Sequence, residues 1–201
     1  MAKEETKDNK PQVQNEIETM MMEKRRIFFS TGFDDKSAKE AIEKLWLLDH
    51  KEPGKLITLV INSPGGSVDS GFAIWDQITM ISSPVVTLVT GLAASMGSFL
   101  SLVGGKGGRF ATPNARFMIH QPAIHGVIQG QATDLEIQAK EVLKTRALLA
   151  KHYAEATGKS VDALNNALDR DSWMSAKEAL EFGLIDAIVT SYDEVKAPKK
   201  K

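Results

Sequence analysis

Two short apolar runs, Leu56–Ile61 (LITLVI) and Pro84–Thr90 (PVVTLVT), most constrain what this chain can fold into. Both are rich in β-branched residues and lack the alternation of a half-solvated strand. Each therefore reads as a strand buried on both faces. Helical patterns alternate with them. Asp34–Leu48 carries Ala38, Ala41, Ile42 and Leu45 on one stripe, and Val68–Ile81 carries Gly71, Ile74, Trp75 and Ile78. Ser95–Val103 reads as a short apolar helix ending at Gly104-Gly105. Arg26–Ser30, Arg109–Ala111, Ala115–Ile119 and Leu184–Val189 read as further strands. Thr133–Glu136 has the spacing of a capping box, and Gly158 that of a helix stop. The helix between them would be roughly 37 Å long. Ser160–Leu168 reads as a short helix, and a second capping box, Ser175–Glu178, opens a helix stopped by Gly183. Strand–helix alternation with buried strands argues an α/β fold with a largely parallel sheet.

Composition narrows the function. At 201 residues the chain suits one domain. It has no cysteine, which excludes disulfides, thiolate metal sites and a cysteine nucleophile. The net charge of -1 gives no argument for nucleic-acid binding. No apolar stretch reaches the roughly 20 residues needed to cross a bilayer. The opening, MAKEETKDNKPQVQNEIE, has no apolar core of a secretory signal. The expected compartment is the cytoplasm, with neither nucleic acid nor membrane as a partner. The first residues are expected to be flexible, or to order on a partner, and KAPKKK reads as a basic tail.

Three segments could carry chemistry. Asn62–Ser67 (NSPGGS) joins a buried strand to a helix, and its glycines allow close backbone approach to an oxyanion. A tight strand-to-helix turn explains it equally well. Gly91–Gly97 (GLAASMG) sets Ser95 among small residues at another such turn, as at a nucleophile elbow, although Gly-x-Ser-x-Gly is absent. Ser95 would also serve as a simple N-cap there. Phe117–Pro122 (FMIHQP) places His120 after an apolar strand, as a base or as a structural histidine. His50, His125 and His152 complete no metal-ligand set. A histidine base needs an orienting acid. Asp69, Asp76, Asp134, Asp162, Asp169, Asp171 and Asp186 all lie near element ends, and pattern alone does not choose among them.

INSPGGS, GLAASMG, RFMIHQP, IQGQATD and DRDSWMSAKEALEFGLID, in this order and spacing, resemble the Clp protease proteolytic subunit family (ClpP) over about residues 25–189. The resemblance implies a crotonase-like, ClpP-type α/β domain over 25–190, built from repeated β-β-α units. It would include a protruding handle at 123–158, flanked by a polar segment at 1–24 and a tail at 191–201. It implies Ser95 as nucleophile, His120 as general base, Asp171 as orienting acid, and the Gly66 and Met96 backbone N–H groups as an oxyanion hole. It implies two stacked heptamers cleaving unfolded polypeptide. An AAA+ unfoldase such as ClpX, ClpA or ClpC would deliver that polypeptide. The chain itself would hold no cofactor and no metal, ATP being used by the partner.

The sequence departs from that family in three places. Residues 1–24 lack the usual apolar stretch and Tyr-Asp segment. Ser67 stands where Val or Ile is usual, beside the implied oxyanion donor, where a polar side chain could perturb substrate seating. Pro122–Gln129 is two residues longer than usual. These departures suggest a divergent paralogue. It would act as a homo-oligomer, or as a regulatory or structural subunit silent outside a mixed ring. A crotonase-type acyl-CoA enzyme also uses paired N–H donors, but a Ser-His-Asp set is not its chemistry.

Overall fold

The two β-branched runs form the centre of the sheet in a computed structural model that describes residues 10–123 and 129–197. Strands β1 (Arg26–Phe29), β2 (Ile57–Ser63) and β3 (Val85–Ala94) pair in parallel. Strand β4 (Arg109–Ala111) joins β3 and β7 (Ala187–Ile188) joins β4, also in parallel. The ten residues of β3 serve two neighbours. Thr87–Val89 pair with β4, and Leu92–Ala94 pair with β5 (Arg116–Ile119). Strand β5 also pairs with β6 (Ser172–Ser175), the one antiparallel ladder among the described strands. The expected largely parallel α/β architecture is the one observed.

Helices α2 (Asp35–Lys51), α3 (Val68–Met80) and α4 (Met96–Ser101) pack on one face of the sheet. Leu45, Ile74, Phe99 and Leu100 meet Ile57, Leu59 and Ile61 there, all fully or almost fully buried. Burying one such side chain contributes about 1.5–3 kcal/mol. Truncating Leu45 to Ala would leave a cavity costing about 2–5 kcal/mol. On the other face Val86, Leu88 and Phe110 pack under Val189 and Val195. Both faces of β3 are thus covered, which is why its first five residues are all buried and show no polar–apolar alternation.

The helix following β5 is α5 (Ala132–Thr157), 26 residues long. Its C-terminal turns bury Leu149, Ala150 and Tyr153, whereas Leu135, Ile137 and Leu143 on its first half are exposed. Helices α6 (Val161–Ala167) and α7 (Ala176–Phe182) follow. Gly158 and Gly183 end α5 and α7 with left-handed φ of 74° and 95°, and the Ser175–Glu178 capping box forms. A partly buried ion pair ties β4 to the segment before β7, with Arg109 Nη2 2.6 Å from Asp186 Oδ1. Burial alone would raise the Asp186 carboxyl. The Arg109 guanidinium and the N–H groups of Arg109 and Gly107 outweigh it and hold the carboxyl below its ordinary range.

The sequence reading differs from the structure at several elements. Helix α1 (Lys10–Glu23) occupies part of the polar segment expected to be flexible. Gln, Glu and Met favour helix even without an apolar stripe, and Met22 packs on the core. Helix α5 begins before Thr133 and is preceded by Gln131, which makes no side-chain cap, so the expected capping box there does not form. Strand β7 is two residues long rather than six, and β6 was not anticipated. Most of the lengthened Pro122–Gln129 segment, with His125, lies outside the described residues, as do residues 1–9 and 198–201.

Candidate active site

The chemistry-bearing segments gather at the carboxyl ends of β2, β3 and β5, the edge where parallel sheets place their ligands. Strand β3 stops at Ala94 and α4 starts at Met96, so Ser95 alone makes the turn. Its φ of 53° and ψ of -121° are rare for a residue with a side chain. Such strain costs about 1–3 kcal/mol and persists only where the surroundings impose it. Here the Ser95 N–H donates to the Met118 carbonyl on β5 at 2.8 Å. The Ser95 carbonyl accepts from the Phe99 N–H at 3.1 Å. Gly97 lets α4 sit close to β2, since a Cβ there would lie 2.8 Å from the Ser63 carbonyl oxygen. Ser95 does occupy the N-cap position of α4, but its side chain makes no capping bond. Its Oγ instead lies 2.8 Å from His120 Nε2.

The ladder between β5 and β6 accounts for the rest of the constellation. Ile119 pairs with Ser172, so one residue further along the same register His120 meets Asp171. His120 Nδ1 lies 3.1 Å from Asp171 Oδ1. The Asp171 side chain is 61% exposed and that of His120 is 21% exposed. Gln121 fastens the segment before Asp171. Its N–H donates to the Leu168 carbonyl at 2.6 Å, and its side-chain Nε2 donates to the Asp169 carbonyl at 2.9 Å. Sequence reading took Gln121-Pro122 only as a strand break and missed this tether.

The glycine turn after β2 closes against the serine turn. An added Cβ on Gly65 would stand 2.6 Å from Ser95 Cβ and 3.1 Å from the Met96 nitrogen. One on Gly66 would stand 2.4 Å from the Phe33 carbonyl oxygen. Only glycine fits at either position, and both have positive φ. Phe33 holds the turn, its N–H donating to the Gly65 carbonyl and its own carbonyl accepting from the Ser67 N–H, each at 2.9 Å. Among the described residues, neither the Gly66 nor the Met96 N–H donates to a protein acceptor. Of these two N–H groups, that of Met96 follows Ser95 directly, and that of Gly66 follows the glycine packed against it. Ser67 is the N-cap of α3, its Oγ accepting from the Ser70 N–H at 3.2 Å. A Val or Ile could not make that bond.

The other candidates lie elsewhere. Asp69, Asp134 and Asp162 are in the first turns of their helices, where a carboxylate suits the helix dipole. Asp186 pairs with Arg109, and Asp76 lies on α3. His152 packs edge-on to Trp75 and Phe99, with ring centroids 5.1 and 5.4 Å apart. His50 is in the last turn of α2. No group of three potential metal ligands occurs among the described residues. No described helix is long and apolar enough to cross a membrane.

Comparisons with known proteins show the family of the chain. The family model described as Clp protease matches residues 9–192. The chain is 62% identical over 181 residues to "ATP-dependent Clp protease proteolytic subunit 1" of Protochlamydia amoebophila (strain UWE25), covering 90% of this chain and 88% of that protein. It is 60% identical to the protein of the same name from Chlamydia muridarum (strain MoPn / Nigg), covering 91% and 95%. It is 59% identical to that of Chlamydia pneumoniae, covering 89% and 94%. This chain belongs to the Clp protease family and is a serine-type peptidase.

Proposed function

We propose that this chain is the proteolytic subunit of an ATP-dependent Clp protease, and that Ser95, His120 and Asp171 form its catalytic triad. The observation that carries the reading is the continuous contact from Ser95 Oγ to His120 Nε2 at 2.8 Å and from His120 Nδ1 to Asp171 Oδ1 at 3.1 Å, at a strained serine turn. His120 takes the Ser95 proton at Nε2 as Oγ attacks the peptide carbonyl. Asp171 accepts from Nδ1–H, which fixes the tautomer that leaves Nε2 free as a base. Charge then develops on the carbonyl oxygen, and the Gly66 and Met96 N–H groups donate to it. One such donor is worth about 3–4 kcal/mol in the transition state. The imidazolium returns its proton to the leaving amine. Water, deprotonated in turn by His120, then hydrolyses the acyl-enzyme and frees Ser95.

The substrates are unfolded polypeptides, passed by an AAA+ unfoldase into a chamber of two stacked heptamers in the cytoplasm. ATP is consumed by that partner, and this chain uses no metal or cofactor of its own. Support for the partner comes from the words "ATP-dependent" in the relatives' names. Support for assembly comes from the exposed apolar residues on the first half of α5. A second reading, a subunit silent outside a mixed ring with a paralogue, is favoured by the number "1" in those names. Cleavage of a fluorogenic peptide by the purified chain separates the two. Activity lost in Ser95→Ala supports the first reading. Silence that ends on mixing with a second subunit type supports the other.

A further inference from the structure

A buried chain of hydroxyls runs from α5 to the serine turn. Tyr153, on the last turns of α5, is 2% exposed, and Ser98, on α4, is fully buried. Tyr153 Oη lies 2.6 Å from Ser98 Oγ, and Ser98 Oγ donates to the Ser95 carbonyl at 3.1 Å. The direction of donation follows from counting protons. Ser98 has one hydroxyl hydrogen, and a carbonyl only accepts. The Ser98 proton therefore goes to Ser95, and the Tyr153 hydroxyl donates to Ser98. Burial pushes the Tyr153 phenol up, against a smaller opposing effect of the Ser98 bond, so it stays a donor at any working pH.

The Ser95 carbonyl has no need of this bond for satisfaction, because it already accepts from the Phe99 N–H. The consequence lies on the other side of the same peptide. That unit is planar, so fixing the Ser95 oxygen fixes the direction of the Met96 N–H. Hydrogen bonds in series also polarise one another, which makes the terminal N–H a better donor. We propose that Tyr153 and Ser98 are positioning residues that aim and polarise the Met96 N–H towards the developing oxyanion, so that the seating of α5 is read at the active site. This rests on the proposed role of Met96 as an oxyanion donor.

The test uses the full-length chain, with a fluorogenic peptide and a peptide boronate that forms a tetrahedral adduct on the serine. Tyr153→Phe removes only the hydroxyl. The expected result is a fall in kcat of about tenfold with KM within twofold, less than loss of a whole donor. Boronate affinity should fall by the same factor. The Ser98→Ala/Tyr153→Phe double variant leaves no orphan hydroxyl, so its thermal stability should return to that of the parent. Its kcat should stay low, which a purely structural role would not produce. Wild-type kcat in Tyr153→Phe overturns the proposal, as does recovery of kcat together with stability in the double variant. If Tyr153→Phe does not fold, the double variant alone decides on the same criterion. Ser95-dependent cleavage that ignores Tyr153→Phe overturns this proposal alone. Absence of Ser95-dependent cleavage in the parent chain, alone or with a second subunit, overturns the triad reading and this proposal with it.

Discussion

The two ends of the Ser95–His120–Asp171 chain of contacts are built differently. Ser95 sits between a ten-residue central strand and a fully buried helix, with its own N–H bonded to β5 and glycine backbone packed against its Cβ. Asp171 precedes a four-residue strand that, among the described strands, pairs only with β5, and its side chain is 61% exposed. The proposed nucleophile is held by a surrounding structure that leaves it no alternative. The proposed acid is held by one ladder and one glutamine tether. The lesson is that the serine end is preorganised by the fold, whereas the aspartate end is adjustable. Water competes for Asp171, and small shifts of β6 change its distance to His120.

The largest effect tests the rigid end. Ser95→Ala should reduce peptide cleavage by about 10⁶-fold, as for the nucleophile of other such triads. An intact fold by circular dichroism would show that only chemistry was removed. Gly65→Ala comes next. Its Cβ would lie 2.6 Å from Ser95 Cβ at a φ of 96°, so the serine turn must move. A displacement near 1 Å costs about 100-fold, and stability should fall as well. Unchanged kcat in Gly65→Ala would break the claim that this end is over-determined. Asp171→Asn probes the adjustable end. A fully buried acid at this position is worth about 10⁴ in kcat. With Asp171 this exposed, the expected loss is about 100-fold, and a loss of 10⁴ would erase the contrast. Ser67→Ala is the smallest. It removes an N-cap and should cost about 1 kcal/mol in thermal or denaturant unfolding, with kcat/KM within twofold. A larger kinetic effect would mean that Ser67 also acts on substrate seating.

The same contrast explains what could be read from sequence. The central strands and the two glycine-bearing turns were legible because burial on both faces imposes β-branched runs, and sharp strand-to-helix turns demand small residues. Ser95 and His120 could be singled out for that reason, though each kept a structural alternative until the 2.8 Å contact between them was seen. Asp171 was one of seven acids, and the residues alone did not distinguish it. What selects it is the register of a long-range pairing between β5 and β6, separated by the whole of α5. Strand β6 itself, Ser172–Ser175, carries neither alternation nor an apolar run and gave no local signal. Helix α1 was hidden for the opposite reason: helix-forming residues without a stripe look like a solvated tail. Ser98 and Tyr153 were invisible too, because their pairing depends on how α5 returns to α4. The choice of Asp171 as acid, and of Gly66 and Met96 as donors, came from resemblance to a family.

The most direct measurement is intact-protein and peptide mass spectrometry after reaction with a serine-reactive phosphonate. The parent chain is compared with Ser95→Ala and His120→Ala. The account predicts one adduct per chain, on Ser95, absent in Ser95→Ala and formed far more slowly in His120→Ala. An adduct on another serine, or labelling of Ser95 at the parent rate without His120, would contradict it.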